Sequence, residues 1–228
     1  MAGESKDSSP PSRLTPLQVD LLQAFFAREQ RFVLTGGAAL AGFYFGHRET
    51  EDLDFFGAPG LDLQEAARTL EVSCAACAAS LEPRQTFPDF RRYLARRGQE
   101  TCIVDLVIDR APMVDADKRM VGRLRIDTLR EIAANKICTV LGRAQIKDLV
   151  DLQLLLASGI DLSAALADAA RKDAGVDPAT LAWVLDQITI SPDARLPGDT
   201  DPRGLDDFRR DLVKTLQRLA FAQTPGPR

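Results

Sequence analysis

The sequence has few of the side chains that build most metal and nucleophile sites. Among its 228 residues there is one histidine, His47, and there are four cysteines, Cys74, Cys77, Cys102 and Cys138. A single histidine argues against sites built from several histidines and leaves only His47 for a Ser-His-Asp arrangement. Cys74 and Cys77 have the spacing of a redox or zinc pair, but no second Cys/His pair accompanies them. We therefore expect reduced cysteines that belong to the core.

Long apolar runs and an excess of positive charge are also lacking. No stretch approaches the length that spans a bilayer, and the first 13 residues, M-A-G-E-S-K-D-S-S-P-P-S-R, contain no apolar signal core. We expect a cytosolic protein without membrane contact, in which residues 1–13 form a disordered tail. The net charge of −4 and the pI near 5.2 give no reason to expect tight, nonspecific binding of nucleic acid.

The most informative stretch is residues 33–56, V-L-T-G-G-A-A-L-A-G-F-Y-F-G-H-R-E-T-E-D-L-D-F-F. It predicts a strand that ends at Thr35, a turn at Gly36 and Gly37, a short helix over Ala38–Phe45, and a second strand. Glycines directly after a strand let backbone N–H groups approach a ligand closely, and the N-terminus of a following helix favours an anion. The turn therefore suits a phosphate.

Asp52 and Asp54 lie on that second strand. Alternate residues of a strand share a face, so both carboxylates point one way, and Leu53 and Phe55 point the other way. Neighbouring carboxylates repel each other and lose solvation, and a divalent cation with oxygen ligands, such as Mg²⁺, removes both problems. With the glycine turn, this predicts a metal-dependent site for phosphoryl or nucleotidyl transfer. The simpler interpretation is a strand-to-helix turn followed by an acidic strand end.

A third carboxylate interrupts the apolar run E-T-C-I-V-D-L-V-I-D at residues 100–109. Asp105 stands in the middle of this predicted strand, where an unpaired charge would be costly. A place beside Asp52 and Asp54 would explain it. Asp109 shares the same face, but it stands at the strand end, where a turn-forming aspartate is ordinary. We therefore prefer Asp105 as the third acidic residue.

The segments G-G-A-A-L and Y-F-G-H-R-E-T-E-D-L-D-F-F resemble the signature of the AbiEii-type nucleotidyltransferases, toxin-like members of the DNA polymerase β nucleotidyltransferase superfamily. A second block, K-I-C-T-V-L-G-R-A-Q-I-K-D-L-V-D-L-Q-L-L-L, is similar to the lysine helix and the following helix of that family. The resemblance covers about residues 32 to 160. It implies transfer of an NMP from an NTP to an acceptor hydroxyl of RNA, such as tRNA, or of protein. It also implies a possible cognate antitoxin.

The resemblance also implies roles for individual residues. Asp52, Asp54 and Asp105 would hold two Mg²⁺ ions, with Mn²⁺ as a substitute, and Asp105 would help to activate the acceptor hydroxyl. Lys136 would engage the nucleotide phosphates, and Asp151 or Asp148 would support catalysis. The nucleotide-binding set is Gly36, Gly37, Arg48, Thr50, Lys136, Lys147 and Asp148. The alternative for the lysines and aspartates after residue 135 is salt bridging on exposed helix faces.

Two further groups of residues have two interpretations each. Arg48 would contact a phosphate or pair with a nearby acid, and Thr50 would cap or position the loop before Asp52. Arg91, Arg92, Arg96 and Arg97 cluster in a predicted hairpin. They would form either a solvated edge strand or a surface for RNA or another acceptor.

The predicted fold is α/β: a small mixed sheet that forms a nucleotidyltransferase core, flanked by helices, with a helical C-terminal half. The core would span residues 14–126, and residues 127–228 would complete the active site between sheet and helices. The predicted elements include helices over Leu14–Gln30, 61–81 and Ile146–Ala157 and a last strand over Met120–Ile126. Two rival functions are a small-molecule, aminoglycoside-like nucleotidyltransferase and a non-catalytic nucleotide-binding module. The pattern does not indicate an oligomeric state.

Overall fold

The computed structural model describes residues 12–223. The predicted disordered tail therefore falls outside the described residues, except for its last two. Arg13 already makes specific contacts: its backbone N–H donates to the carbonyl of Ala41 at 3.2 Å, and its Nε donates to the carbonyl of Gly46 at 3.2 Å. In the described range, no helix has both the length and the apolar character that crossing a bilayer requires.

Residues 12–223 form a mixed sheet of seven strands together with eight α-helices, which confirms the predicted fold class. The strands are β1 (Phe32–Thr35), β2 (Asp52–Gly57), β3 (Ser80–Phe87), β4 (Phe90–Arg97), β5 (Glu100–Ile108), β6 (Arg119–Val121) and β7 (Leu124–Ile126). The helices are α1 (Pro16–Phe26), α2 (Gly36–Ala39), α3 (Leu63–Ala76), α4 (Leu129–Arg143), α5 (Ile146–Ala157), α6 (Leu162–Lys172), α7 (Pro178–Asp186) and α8 (Pro202–Gln223). A π-helical turn, Leu40–Tyr44, continues α2. The strand order is β3-β4-β5-β2-β1-β7-β6.

The described chain divides into two compact units. The first contains the residues up to Ile108 together with Gly122–Leu124, and the second contains Asp109–Val121 together with the residues from Arg125 onward. The predicted domain boundary after Ile126 remains a proposal.

In the first unit, one face of the sheet forms the core. β2 pairs with β1 in antiparallel and with β5 in parallel orientation, and α1 and α3 pack against β5. Leu53 and Phe55 of β2 are fully buried, and the ring of Phe25 stacks on that of Phe55 with centroids 4.5 Å apart. Because alternate residues of β2 point to opposite faces, this core leaves Asp52 and Asp54 on the other face.

Several predicted element boundaries are wrong. The helix predicted over Ala38–Phe45 already begins at Gly36 as α2, and its second half is the π-helical turn Leu40–Tyr44. The strand predicted over residues 120–126 is the hairpin of β6 and β7, because Gly122 adopts φ +59° and reverses the chain. The helix predicted over residues 61–81 is α3, which ends at Ala76, since Ala78 adopts φ +55° and β3 begins directly afterwards. α1 ends at Phe26 and is shorter than predicted.

The second unit is built mainly of helices. Thr128 caps the start of α4: its side chain accepts a hydrogen bond from the backbone N–H of Glu131. The carboxylate of Glu131 accepts hydrogen bonds from the backbone N–H groups of Val114 and Asp115, so it fixes the loop that precedes β6. α4 ends at Arg143, because the next residue, Ala144, adopts φ +48°, and α5 begins at the predicted residue, Ile146.

All four cysteines are free thiols. Cys74 and Cys102 are buried, as predicted, whereas Cys77 and Cys138 are half-buried. Burial raises the pKa of the Cys74 and Cys102 thiols to about 12, so both stay protonated at neutral pH. These two thiols are therefore inert core residues.

Candidate active site

Four residues lie side by side across the middle of the sheet. Arg92 on β4 is paired with Asp105 on β5, Asp105 with Asp54 on β2, and Asp54 with Thr35 on β1. Residues directly opposite each other on neighbouring strands share a face. The sheet therefore brings the predicted carboxylates of Asp54 and Asp105 together, and it adds an arginine on one side and a hydroxyl on the other.

Gly36 and Gly37, called the glycine turn below, are the first residues of α2; they follow Thr35 directly and lie against β2. Gly36 adopts φ +65°, and a Cβ atom built on it would lie 2.5 Å from Oδ2 of Asp54. A Cβ atom on Gly37 would lie 2.5 Å from Nη2 of Arg48. A side chain at Gly36 would be strained by the positive φ and would collide with Asp54, whereas a Cβ atom on Gly37 would displace the end of the Arg48 side chain.

Arg48 and Thr50 shape the loop that leads into β2. Arg48 is buried, and its Nη1 donates to the carbonyl of Glu49 at 3.0 Å. The carbonyl of Thr50 accepts a hydrogen bond from Nε2 of Gln18 at 2.8 Å, which ties the loop to α1. The backbone of Thr50 thus holds the loop to α1, while a role of the Thr50 side chain and a phosphate contact of Arg48 stay predictions.

The sequence argument missed Thr35. This residue is only 2% exposed, and its Oγ1 has no hydrogen-bond partner among residues 12–223. A buried hydroxyl without a partner is unfavourable unless a ligand or an ion satisfies it. The available signal was its position: it is the one polar residue of the run F-V-L-T and stands directly before the two glycines.

The sequence argument also missed the partner of Asp105. Nε and Nη2 of Arg92 donate to the two carboxylate oxygens of Asp105 at 2.8 and 2.7 Å. β4 is not the edge strand, because β3 covers it, so the interpretation of the arginine cluster as a solvated edge is wrong for Arg92. The charge of Asp105 is satisfied inside the protein.

The side chains around Asp54 fit a divalent-metal site only in part. Asp52 and Asp54 supply oxygen donors on one face beside the unpartnered hydroxyl of Thr35, which suits a hard cation. In contrast, both oxygens of Asp105 are bound to Arg92. Accordingly, no group of three or more His, Cys, Asp or Glu side chains in the described range has a metal-binding arrangement.

In the second unit, the predicted lysine and aspartates form a buried ion cluster. Nζ of Lys136 lies 2.9 Å from Oδ1 of Asp148 and 2.7 Å from Oδ2 of Asp151, and Arg143 adds a second cation at 2.9 Å from Oδ2 of Asp148. Both aspartates are fully buried. The lysine–aspartate pairs therefore exist, but they are internal and do not lie on exposed helix faces.

The pKa of Asp148 reflects this cluster. Burial alone would raise the pKa, but the hydrogen bond from Arg143 and the charge and hydrogen bond of Lys136 outweigh it and hold the pKa below its ordinary value. Lys147, on the first turn of α5, is half-buried. Its contact with a nucleotide stays a prediction.

Taken together, the first unit presents the carboxylates of Asp54 and Asp105 side by side, next to the two glycines that follow Thr35. Residues 20–225 match the family described as "Nucleotidyl transferase AbiEii toxin, Type IV TA system". None of the curated proteins compared with the chain matches it.

Solved structures share the fold at low sequence identity. JHP933 from Helicobacter pylori is 20% identical, with a TM-score of 0.58 and 91% of each chain covered. A second H. pylori protein, described as a candidate nucleotidyltransferase, is 21% identical, with a TM-score of 0.56 and 89% of this chain and 94% of that chain covered. The antibiotic-resistance factor ANT(2'')-Ia matches at a TM-score of 0.48 and 17% identity over 68% of this chain and 88% of its own, which is too distant to support an argument.

Proposed function

The chain belongs to the AbiEii nucleotidyltransferase toxin family, and on this premise we propose that it transfers an NMP from an NTP to an acceptor hydroxyl in a reaction that depends on divalent metal. The observation that carries the proposal is the row of Arg92, Asp105, Asp54 and Thr35, which ends at the glycine turn. This row supports the proposal because it joins two carboxylates, a guanidinium and a hydroxyl that is followed directly by two glycines.

The NTP would bind on the glycine side of the row. The turn admits the β- and γ-phosphates without hindrance from a Cβ atom, and the buried guanidinium of Arg48 behind Gly37 favours their negative charge. The hydroxyl of Thr35 gains a partner in the bound state, which removes its desolvation penalty. Asp52 and Asp54 would hold Mg²⁺ or Mn²⁺, which when bound stabilises charge on the transferring phosphoryl group.

The transfer itself makes one bond and breaks one bond. The oxygen of the acceptor hydroxyl attacks the α-phosphorus, and the bond from that phosphorus to the bridging oxygen breaks, so pyrophosphate leaves. Asp105 faces the acceptor side and takes up the hydroxyl proton, while Arg92 keeps its carboxylate in place. A role of Asp105 as a third metal ligand would require its ion pair with Arg92 to open.

Four residues of the second unit keep their proposed roles through the family resemblance alone. Lys136 and Lys147 would engage nucleotide phosphates, and Asp148 or Asp151 would support catalysis. Nζ of Lys136 lies within 3 Å of the carboxylates of both Asp148 and Asp151. To contact a phosphate, it would have to give up one of these two ion pairs. Membership of a toxin–antitoxin family supports a cognate antitoxin as partner. A cytosolic location and an acceptor in RNA or protein are further parts of the proposal.

Transfer of label from each α-³²P-labelled NTP into total RNA and protein, with Mg²⁺, tests the proposal. Asp54→Ala should abolish incorporation while the protein stays folded, because Asp54 is half-exposed and outside the core. The exposed neighbour Glu51 offers the matched control, and Glu51→Ala should keep full incorporation. Full turnover by Asp54→Ala would show that the carboxylate assignment is wrong, and label found only in a small molecule would favour the small-molecule rival.

A further inference from the structure

In the second unit, α7 and α8 enclose an open groove of about 750 Å³, called the α7–α8 groove below. One wall is a stripe of α7 with the spacing of a single helix face: Ala179, Ala182, Trp183 and Asp186. The other wall contains Ala220 and Phe221 of α8. Two helices that pack side by side leave a furrow between them, into which the ridge of a third helix fits.

The walls of the groove carry two exposed aromatic rings. Trp183 is 66% exposed and Phe221 is 80% exposed. A single exposed aromatic residue needs no explanation. Two rings that line the same groove form an apolar surface of the kind that marks an interaction site, and tryptophan is enriched among the residues that dominate binding energy.

Contacts beneath the groove keep it in place. Leu185 of α7 and Leu216 of α8 are fully buried. Nη1 of the buried Arg209, on α8, donates to the carbonyl of Leu185 at 3.2 Å. The groove therefore exists before a partner arrives, and less free energy is lost in ordering it on binding.

The shape of the groove favours a helix over a small molecule. Sites for small molecules enclose most of the ligand and contain several polar groups that fix its orientation. Here the two large rings are exposed, whereas the less exposed lining residues Ala182 and Ala220 are small and leave space for incoming side chains. An amphipathic helix lays its apolar face into a groove of this kind.

The charges along the groove are acidic. Asp177 and Asp186 stand at the two ends of α7, about 13 Å apart along the helix axis. Hydrogen bonds from Thr180 and from backbone N–H groups lower the pKa of Asp177, so its carboxylate is ionised at neutral pH. Asp186 lies 3.7 Å from Nη1 of Arg209, but its side chain is 65% exposed and can meet a second cation. Among the described residues that line the groove there is no lysine or arginine.

This charge pattern argues against three other occupants. In a two-fold pair of chains the same surface contacts its own copy, so acidic residues would meet acidic residues. An anionic lipid surface and a nucleic acid would be repelled for the same reason. A helix that carries basic residues beside its apolar stripe complements both the rings and the carboxylates.

We propose that the α7–α8 groove binds a basic amphipathic helix of a partner protein. The apolar stripe of that helix packs between Trp183 and Phe221, and two of its Lys or Arg residues, roughly two to three turns apart, pair with Asp177 and Asp186. The inference goes beyond nucleotidyl transfer, because the groove is lined by residues of the second unit alone and uses none of the carboxylates of the sheet.

Trp183 is the only tryptophan of the chain, so its fluorescence reports on the groove directly. The probe is a tryptophan-free peptide of about five helical turns, with Leu on one face and Lys on the other; its counterpart carries Glu in place of Lys. The Leu–Lys peptide should shift the emission to shorter wavelength in a saturable manner, since it buries the indole. The Leu–Glu peptide should cause no shift.

Matched variants distinguish the groove from general attraction to an acidic protein. Asp186→Lys should weaken binding of a fluorescent Leu–Lys peptide about ten-fold, measured by anisotropy. Asp211→Lys makes the same change of charge at an exposed residue of α8 that does not line the groove, and it should bind within about two-fold of the parent. Phe221→Ala alters only an exposed ring and should also weaken binding about ten-fold. Urea unfolding confirms that each variant is folded.

Four results would overturn the proposal. They are an emission that the Leu–Lys peptide leaves unchanged, equal weakening by Asp186→Lys and Asp211→Lys, a shift caused by raising the protein concentration alone, and a shift with phosphatidylglycerol vesicles but not with the peptide. The third result would assign the groove to a second copy of the chain, and the fourth to a membrane surface. None of these measurements involves an NTP, so they stand or fall independently of the proposed transfer.

Discussion

Arg92 and Asp105 face each other across β4 and β5 and form a two-point ion pair, with Nε–Oδ1 and Nη2–Oδ2 distances of 2.8 and 2.7 Å. Asp105 is buried, so the protein itself supplies the cation that this carboxylate requires. A divalent ion at the same place would compete with the guanidinium for the same two oxygens.

Removal of Arg92 should therefore make the stability depend on divalent cations. Arg92→Ala leaves a buried carboxylate without its partner and should lower the free energy of unfolding by about 1–3 kcal/mol in the presence of EDTA. Added Mn²⁺ should raise Tm more in the variant than in the parent. Calorimetry checks this, with Arg84→Ala as control because its pair with Glu82 is largely exposed. Equal Mn²⁺ effects in Arg92→Ala and the parent would contradict the competition.

At Gly36, the effect of backbone strain can be separated from the effect of a collision with Asp54. Gly36→Ala introduces a methyl group 2.5 Å from Oδ2 of Asp54, so we expect loss of nearly all transferase activity. Gly98 has φ +58°, close to the φ of +65° at Gly36, but a Cβ atom added to Gly98 would meet nothing within 4 Å. Both variants should lose about 1–2 kcal/mol from backbone strain, measured by urea unfolding, and only Gly36→Ala should lose activity. Similar activities in Gly36→Ala and Gly98→Ala would argue against a role for the turn.

Lys136 should prove necessary for stability as well as for any contact with a nucleotide. Lys136→Met leaves Asp148 and Asp151 buried with less compensating charge, and we expect a loss of about 3–5 kcal/mol in urea unfolding. Adding Asp151→Asn should recover part of it, because one buried charge disappears. Lys214→Met, which breaks an exposed pair with Asp211, should change the stability little. Loss of activity in a Lys136 variant of unchanged stability would instead point to a direct catalytic role.

Asp148 should contribute to acid sensitivity. The pKa of Asp148 in the folded protein lies below its ordinary value. The ionised carboxylate therefore stabilises the fold above about pH 4, and this stabilisation is lost as the pH falls from the ordinary pKa to the lower pKa of the folded state. The difference in unfolding free energy between the parent and Asp148→Asn should therefore shrink between pH 6 and pH 3. Glu131, whose pKa is also lowered, keeps some acid dependence in the variant. A constant difference across this range would contradict the assignment.

The sequence by itself determined the elements whose signals are local. The apolar run before Gly36 and Gly37 predicted β1, and the alternation in D-L-D-F placed both aspartates on one face, as the structure confirms, whereas the predicted turn at the two glycines is the start of α2. The residues Ile146–Ala157 were predicted as a helix with the observed limits, because period and break signals lie within the segment. The resemblance in these same segments indicated the family that the chain belongs to.

Only the tertiary structure decided which residues meet. The pairing of Arg92 with Asp105 depends on the register of two strands, and register follows from packing of the whole sheet. The buried state of Lys136 depends on how α4 and α5 pack. Whether the Thr35 hydroxyl has a hydrogen-bond partner depends on which residues surround it in the folded protein. The sequence contains the chemistry of the site, whereas partners and burial arise from contacts between segments that are distant along the chain.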